Sequence, residues 1–229
     1  MATRNTRRAA APRTRPPRAA AERRSPQQDR GQRRVDELLD AAEVVIAEVG
    51  VAATTTNAVA ARAGAGMGSL YHFFPNKEAM VVALAERYAN AMRPLTEYGK
   101  RPEYASMSLA QMVDEIVDPL AEFMRRAPAY RHVFHATSQP GRPGLCSMRL
   151  KDTVVGHVSA LMAARAPRLA AAEREVKALV AVEMVHRMLD LAFEESGAAR
   201  AAIIGETKRL LALYSEMIQK HDDPLKRLR

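Results

Sequence analysis

The 229 residues carry 35 Lys and Arg against 26 Asp and Glu, a formal net charge of +9, with 48% hydrophobic and 5% aromatic residues and no Trp. A single cysteine, Cys146, has no partner for an internal disulfide, no apolar run reaches the roughly 18 residues a membrane span needs, and no apolar segment follows the basic N-terminus as a secretory signal requires. These features exclude a disulfide scaffold and a membrane anchor, and the abundance of good helix formers points to a cytoplasmic, all-α protein.

The charge is concentrated at one end. Residues 1–34 hold eleven arginines against Glu22 and Asp29, so the whole +9 excess lies there and the remaining 195 residues balance to zero. Pro12, Pro16, Pro17 and Pro26 interrupt this segment, which has little bulky apolar content. Such a stretch cannot offset its ordering entropy by burial. Residues 1–32 therefore read as a disordered basic arm. Arginines of this kind displace counterions from DNA phosphates or enter a minor groove; a merely solubilising tail is the other use of such a composition.

From Val35 the apolar residues fall on one helical face: Val35, Leu38, Leu39, Ala42, Val45, Ile46 and Val49. Gly50 is suited to stop that helix. Thr54, Thr55 and Thr56 offer caps for a second helix beginning near Asn57. Gly64, Ala65 and Gly66 form a turn, and Gly64 permits the positive φ a tight turn needs. A third short helix, 67–73, would bury Leu70 and Phe73 and leave Met67, Gly68, Ser69, Tyr71 and His72 outward. Helix, three-residue turn, helix is the spacing of a DNA-binding motif whose second helix enters the major groove.

The stretch Gly50 to Glu78, GVAATTTNAVAARAGAGMGSLYHFFPNKE, closely resembles the signature of TetR-type regulators: a Gly closing the first helix, a Thr-rich cap, Ala-Arg-Ala-Gly, Leu-Tyr-x-x-Phe and a Lys-Glu pair. The match spans about residues 33–80. It implies phosphate contacts by Thr54, Thr55, Tyr71, His72 and Lys77, with Asn76 as a cap. Met67, Gly68 and Ser69 would approach base edges. Two positions depart from the family habit, Gly66 in place of Ser and Met67 in place of a polar or basic residue. Met67 can at best pack on a thymine methyl. Residues 35–80 carry Arg62 and Lys77 against six acidic side chains, a net −4. Arg33, Arg34 and the arm would have to supply the positive field.

Beyond Lys77 the pattern stays helical, in segments near 77–97, 108–126, 128–137, 147–164, 168–195 and 200–220, punctuated by Pro and Gly. Residues 81–229 thus read as a helical bundle, and the resemblance makes this part an effector-binding and dimerisation domain. The apolar stripe of 108–126 runs through Pro119, which should kink the helix. Candidates for an effector pocket are Met112, Ile116, Phe123, Met124, Tyr130, Phe134, His135, His157, Met162, Met184 and Met188, with Met148 and Phe193 beside them. Met suits varied apolar ligands, although all of these could equally fill a core. His132 and His135, three apart, could share a helix face, but the spacing around them falls short of a metal site.

The resemblance implies that the last two helices pair with their copies in a homodimer, presenting two recognition helices to a palindromic duplex. The reading is a ligand-responsive repressor that binds double-stranded DNA and a small, largely apolar effector, with no cofactor, metal or membrane partner. No phosphate loop or nucleophile elbow marks an enzyme. A non-specific architectural DNA binder, or a helical enzyme, is the alternative. Deletion of residues 2–30 is expected to weaken binding to the target duplex and to flatten the plot of log affinity against log salt. Fluorescence anisotropy at several salt concentrations checks this, and an unchanged slope would remove the arm from the interface.

Overall fold

The computed structural model describes residues 26–96, 103–138 and 150–222. Ten helices occupy these residues: α1 (Pro26–Ala53), α2 (Thr56–Arg62), α3 (Met67–Phe73), α4 (Lys77–Thr96), α5 (Glu103–Ser106), α6 (Leu109–Arg126), α7 (Tyr130–Ser138), α8 (Leu150–Arg165), α9 (Ala171–Glu194) and α10 (Gly197–Asp222). The all-α expectation holds, with an N-terminal helix-turn-helix and a helical C-terminal domain. Cys146, Met148 and the Pro140–Gly144 loop lie outside the described residues, as do residues 1–25 of the arm.

Helix α1 starts at Pro26, so residues 26–32 are helical rather than part of a disordered arm. Proline is favoured in the first helical turn, where its missing N–H has no helical acceptor to lose. Asp29 sits in that turn, where a negative charge meets the positive helix end. A polar extension of this sort leaves no trace in apolar periodicity. Leu38, Leu39, Ala42, Val45 and Ile46 are buried as expected, but Val49 at the end of the stripe is exposed. At Gly50 the backbone turns out of the helix with φ 75° and ψ 167°. The amide and the hydroxyl of Thr54 both donate to the Gly50 carbonyl, at 3.2 and 2.7 Å, so the kink closes on itself.

Helix α4 joins the two domains. It packs on α1, α6, α7 and α8. Arg87 in its middle forks to Asp40 and Glu43 of α1, each at 2.5 Å. Helix α7 also packs on α1, and His132 of α7 stands beside Gly50. Helix α6 continues through Pro119 as one helix, held to α10 by Lys208, which pairs with Asp114 at 2.9 Å and Asp118 at 2.7 Å. Helix α9 packs against α8 and α10.

The centre of the C-terminal domain is a ring cluster. Tyr130 and Phe134 are fully buried, Phe123 and Tyr88 meet Tyr130 edge-on, and Phe134 stacks on His186 at 3.9 Å. Both imidazole nitrogens of His186 have partners: Nδ1–H donates to the Val182 carbonyl at 2.8 Å, and Nε2 accepts from the Tyr130 hydroxyl at 3.0 Å. Burial outweighs the Val182 carbonyl and the opposing charges of Asp190 and Glu183 and drives the His186 pKa from 6.5 down to about 4, so the ring stays neutral in the folded chain. An unfolded chain takes up a proton near 6.5 that the folded core refuses, so this contribution is complete above that pH and is lost as pH falls toward 4. The loss is on the order of 3 kcal/mol. Urea unfolding at stepped pH should therefore show stability declining between pH 6.5 and 4, with a smaller decline in His186→Gln; equal slopes in the two proteins would contradict the assignment.

Candidate DNA interface and ligand cavity

The DNA-binding candidate is built from three short caps. Thr55 stands at the N-cap of α2 with φ −122°, its hydroxyl accepting from the Ala58 amide at 3.1 Å. Gly64, at φ 57°, makes the turn, with the Ala65 amide reaching back to the Ala60 carbonyl at 2.9 Å. Asn76 caps α4, its amide oxygen accepting from Ala79 N at 2.8 Å. Val59, Ala60 and Leu70 bury the inner faces of α2 and α3. The outer face of α3 is left standing in solvent.

On that face Gly68, Tyr71 and His72 are exposed and Ser69 is half-buried. Tyr71 is 49% exposed, and its hydroxyl makes only a long hydrogen bond of 3.4 Å with Thr56 Oγ1. His72 rests edge-on against Phe73 at 4.9 Å. Met67, expected outward, is half-buried against the core, and Phe74 is the more deeply buried of the two phenylalanines. Thr54 departs further from expectation. It is buried, and its amide and hydroxyl are both spent on Gly50, so it has nothing to offer a phosphate. The Thr-x-x pattern could not show which threonine caps α2 and which closes the kink.

The nearby cations are mostly engaged. Arg62 chelates Glu48 at 2.7 and 2.8 Å, Arg34 pairs with Glu37 at 2.6 Å, and Lys77 donates to the Ala52 carbonyl at 3.0 Å. Arg33 is exposed.

A largely apolar cavity of about 90 Å³, partly open to solvent, lies between α6, α8, α9 and α10. Met112, Ile116 and Met162 line it as expected, together with Leu120, Val154, Val158, Leu161, Ala181, Val182, Val185 and Leu211. The remaining candidates lie elsewhere. Tyr130 and Phe134 are sealed in the ring cluster, and Phe123 packs edge-on against it. His135 is committed to Asp190 at 2.6 Å. His157, Met184 and Met188 are half-buried away from the lining. Met124 and Phe193 line a separate crevice of about 270 Å³ against Ala47 of α1, with Arg125, Arg131 and Arg200. Met and aromatic residues mark buried volume, and a core uses them as readily as a cavity does. The wall is instead aliphatic, drawn from four helices, and no local pattern announces that convergence. Four polar residues that sequence reasoning passed over reach it: Arg165, His186, Ser215 and Gln219.

The apolar stripes of α9 and α10 divide. Thr207, Leu211 and Ile218 turn inward, whereas Val176, Leu179, Val180, Leu191, Leu210, Leu213 and Met217 are exposed, Val176 and Leu213 at 61%.

Comparison with known proteins agrees with this arrangement. Residues 38–84 match the family described as bacterial regulatory proteins, tetR family, and residues 108–214 match a tetracyclin repressor-like C-terminal domain. No curated protein sequence matches the chain. Among solved structures, a TetR-family transcriptional regulator from Streptomyces coelicolor aligns with 28% identity and a TM-score of 0.59, over 81% of this chain and 99% of that one. A gamma-butyrolactone receptor (ArpA-like protein) has the same fold at 20% identity and a TM-score of 0.54, over 83% and 99% of the two chains. So does SmeT in complex with triclosan, at 20% identity and 0.55, over 82% and 90%. Two family matches in this order, on a helix-turn-helix followed by a helical bundle, place the chain in the TetR family of transcriptional regulators.

Proposed function

We propose that the protein is a homodimeric repressor that leaves a palindromic operator when a small, largely apolar molecule fills the cavity between α6, α8, α9 and α10. The observation that carries this reading is the outer face of α3, where Gly68, Tyr71 and His72 stand exposed on a helix pinned from behind by Leu70. An aromatic and an imidazole held rigidly in solvent have no structural return, whereas a DNA groove would use both. The caps that hold α3 are local, so the face is prepared before DNA arrives. Arg33 and the arginines of residues 1–25 supply the phosphate-directed charge that the acidic motif lacks.

Two further features support the reading. Two structural neighbours are named for small molecules, a gamma-butyrolactone and triclosan, and the apolar cavity is suited to a compact organic effector. The exposed aliphatic side chains of α9 and α10 form a face that a second copy would cover. Binding in the cavity acts on DNA only through a difference in affinity between operator-bound and free conformations. No feature of the chain calls for a cofactor, and regulation of this kind belongs in the cytoplasm.

Replacing Tyr71 and His72 together by Ala is expected to weaken binding to the operator by about 30-fold or more, since two lost contacts at roughly 1–3 kcal/mol each sum to at least roughly 2 kcal/mol. Footprinting and anisotropy measure it, with circular dichroism confirming that α3 persists; parental affinity in the double variant would overturn the recognition assignment. Leu213→Glu with Met217→Glu should halve the apparent mass at micromolar concentration in sedimentation and abolish protection of a full palindrome. A parent protein that sediments as a monomer would overturn the dimer.

A further inference from the structure

The cavity's polar groups are not scattered. His186 is satisfied by Tyr130 and Val182, so it offers nothing to a ligand. The remaining three gather at one end, on the last turn of α8 and on α10: Arg165, Ser215 and Gln219. Ser215 lies one turn before Gln219. Arg165 is the only charged residue that lines the cavity among the described residues.

Its Nη1 donates to the carbonyls of Tyr104 and Met107, at 2.5 and 2.9 Å. Nε and Nη2 lie 2.9 and 3.3 Å from the end of the Gln219 amide, whose oxygen accepts from both once the amide is turned so that its oxygen rather than its NH2 meets the two donors. Every acceptor is neutral. Burial pulls its pKa down, with no carboxylate contribution to oppose it. Several half-buried cations here find acids, Arg87 with Asp40 and Glu43, Lys151 with Glu183, and Lys208 with Asp114 and Asp118, while Lys77, Arg174 and Arg200, like Arg165, donate to neutral oxygens. What sets Arg165 apart from these is its place, at the rim of an apolar void.

The geometry adds a second argument. The two carbonyls fix the guanidinium by one nitrogen, which leaves its Nε–Nη2 edge presented toward Gln219. That edge is the fork that takes two oxygens of a carboxylate or phosphate side-on. A neutral amide now occupies it with one oxygen, a weak occupant that an anion outcompetes, because hydrogen bonds to an ionised acceptor are roughly twice as strong.

We infer that the effector is an amphiphile, an apolar body filling the aliphatic cavity and an anionic group, carboxylate or phosphate, seated on Arg165 in place of Gln219. This rests on the reading of the cavity as the effector site. Ligand entry would exchange an α8–α10 contact for a ligand contact while Tyr104 and Met107 still hold Arg165 to the α5–α6 junction.

The test uses the full-length protein and four ten-carbon probes: decanoate, decyl phosphate, decanol and decylamine, titrated by calorimetry. Both anions are expected to bind about tenfold or more tightly than decanol, with decylamine weakest; the better of the two anions identifies the head group. Arg165→Gln should bring the anions to parity with decanol, and Arg165→Lys should keep part of the preference. Gln219→Leu, which removes the neutral competitor, should tighten decanoate severalfold without tightening decanol, and it decides the matter even if Arg165→Gln does not fold. Parity of decanoate, decyl phosphate and decanol in the parent would overturn the anionic head group and leave the apolar cavity standing as the site. Failure of all four probes to bind would overturn the cavity reading as well.

Discussion

The fork of Arg87 onto Asp40 and Glu43 is the contact on which the rest of the molecule depends. Helix α4 is the covalent bridge between the DNA-binding helices and the body, and a single helix on its own is a compliant link. Two ion pairs from one guanidinium, set beside the buried Leu84 and Tyr88, fix the rotation of α4 against α1 as well as their distance. Because one guanidinium serves both carboxylates, neither pair can shift without straining the other. A movement of α4 is thereby passed to α1 instead of being absorbed at the joint. Helix α7 braces the same region from the other side, with His132 beside the Gly50 kink.

That rigidity gives the cavity its leverage. Helices α6 and α8 border the void and also pack on α4. A ligand that pushes on Ile116 or Val154 therefore acts on the helix that carries Arg87. The ring cluster of Tyr130, Phe134 and His186 limits where the strain can go, since each of its polar atoms is already paired and its rings are tightly stacked. Close-packed cores transmit displacement better than they absorb it. The softer route is α10, whose grip on α8 includes the neutral Arg165–Gln219 contact.

Much of the DNA-binding domain was legible in the sequence because its determinants are local. The Gly50 stop and the Gly64 turn act within a few residues and sit where the pattern put them, the Asn76 cap sits where the resemblance implied it, and of the three candidate threonines Thr55 is the one that caps α2. The cavity was legible only in part. Met112, Ile116 and Met162 were found because they carry the inward phase of α6 and α8, yet the same phase put Tyr130 and Phe134 into a core. Periodicity reports that a side chain turns inward. It does not report whether the space it meets is filled, because that depends on four helices whose relative positions are set over distances no window covers. Arg165 and Gln219 were invisible for a simpler reason: on a helix read alone, both look like solvent-facing residues. Residues 26–32 were misjudged in the opposite direction, since proline and charge suggest disorder when the neighbouring helix is not considered.

The distribution of charge then makes sense as a division of labour. Within the helix-turn-helix, Arg62 and Arg34 are consumed by Glu48 and Glu37, so they stiffen the domain and contribute little net field. The acidic residues left on α1 would repel a duplex if they faced it. In the proposed function, a separate N-terminal segment would carry the phosphate-binding charge and leave α2 and α3 to be optimised for shape and for contacts by the exposed Tyr71 and His72. Affinity and selectivity then reside in different parts of the chain. On that proposal attraction to any duplex would scale with counterion release by the arm, whereas discrimination would depend on the geometry of α3, which a ligand in the cavity would alter through α4 without touching the arm. A regulator built this way can lose its operator while retaining a weak general hold on DNA, because a ligand that misaligns the recognition helices leaves the arginines free to find other phosphates.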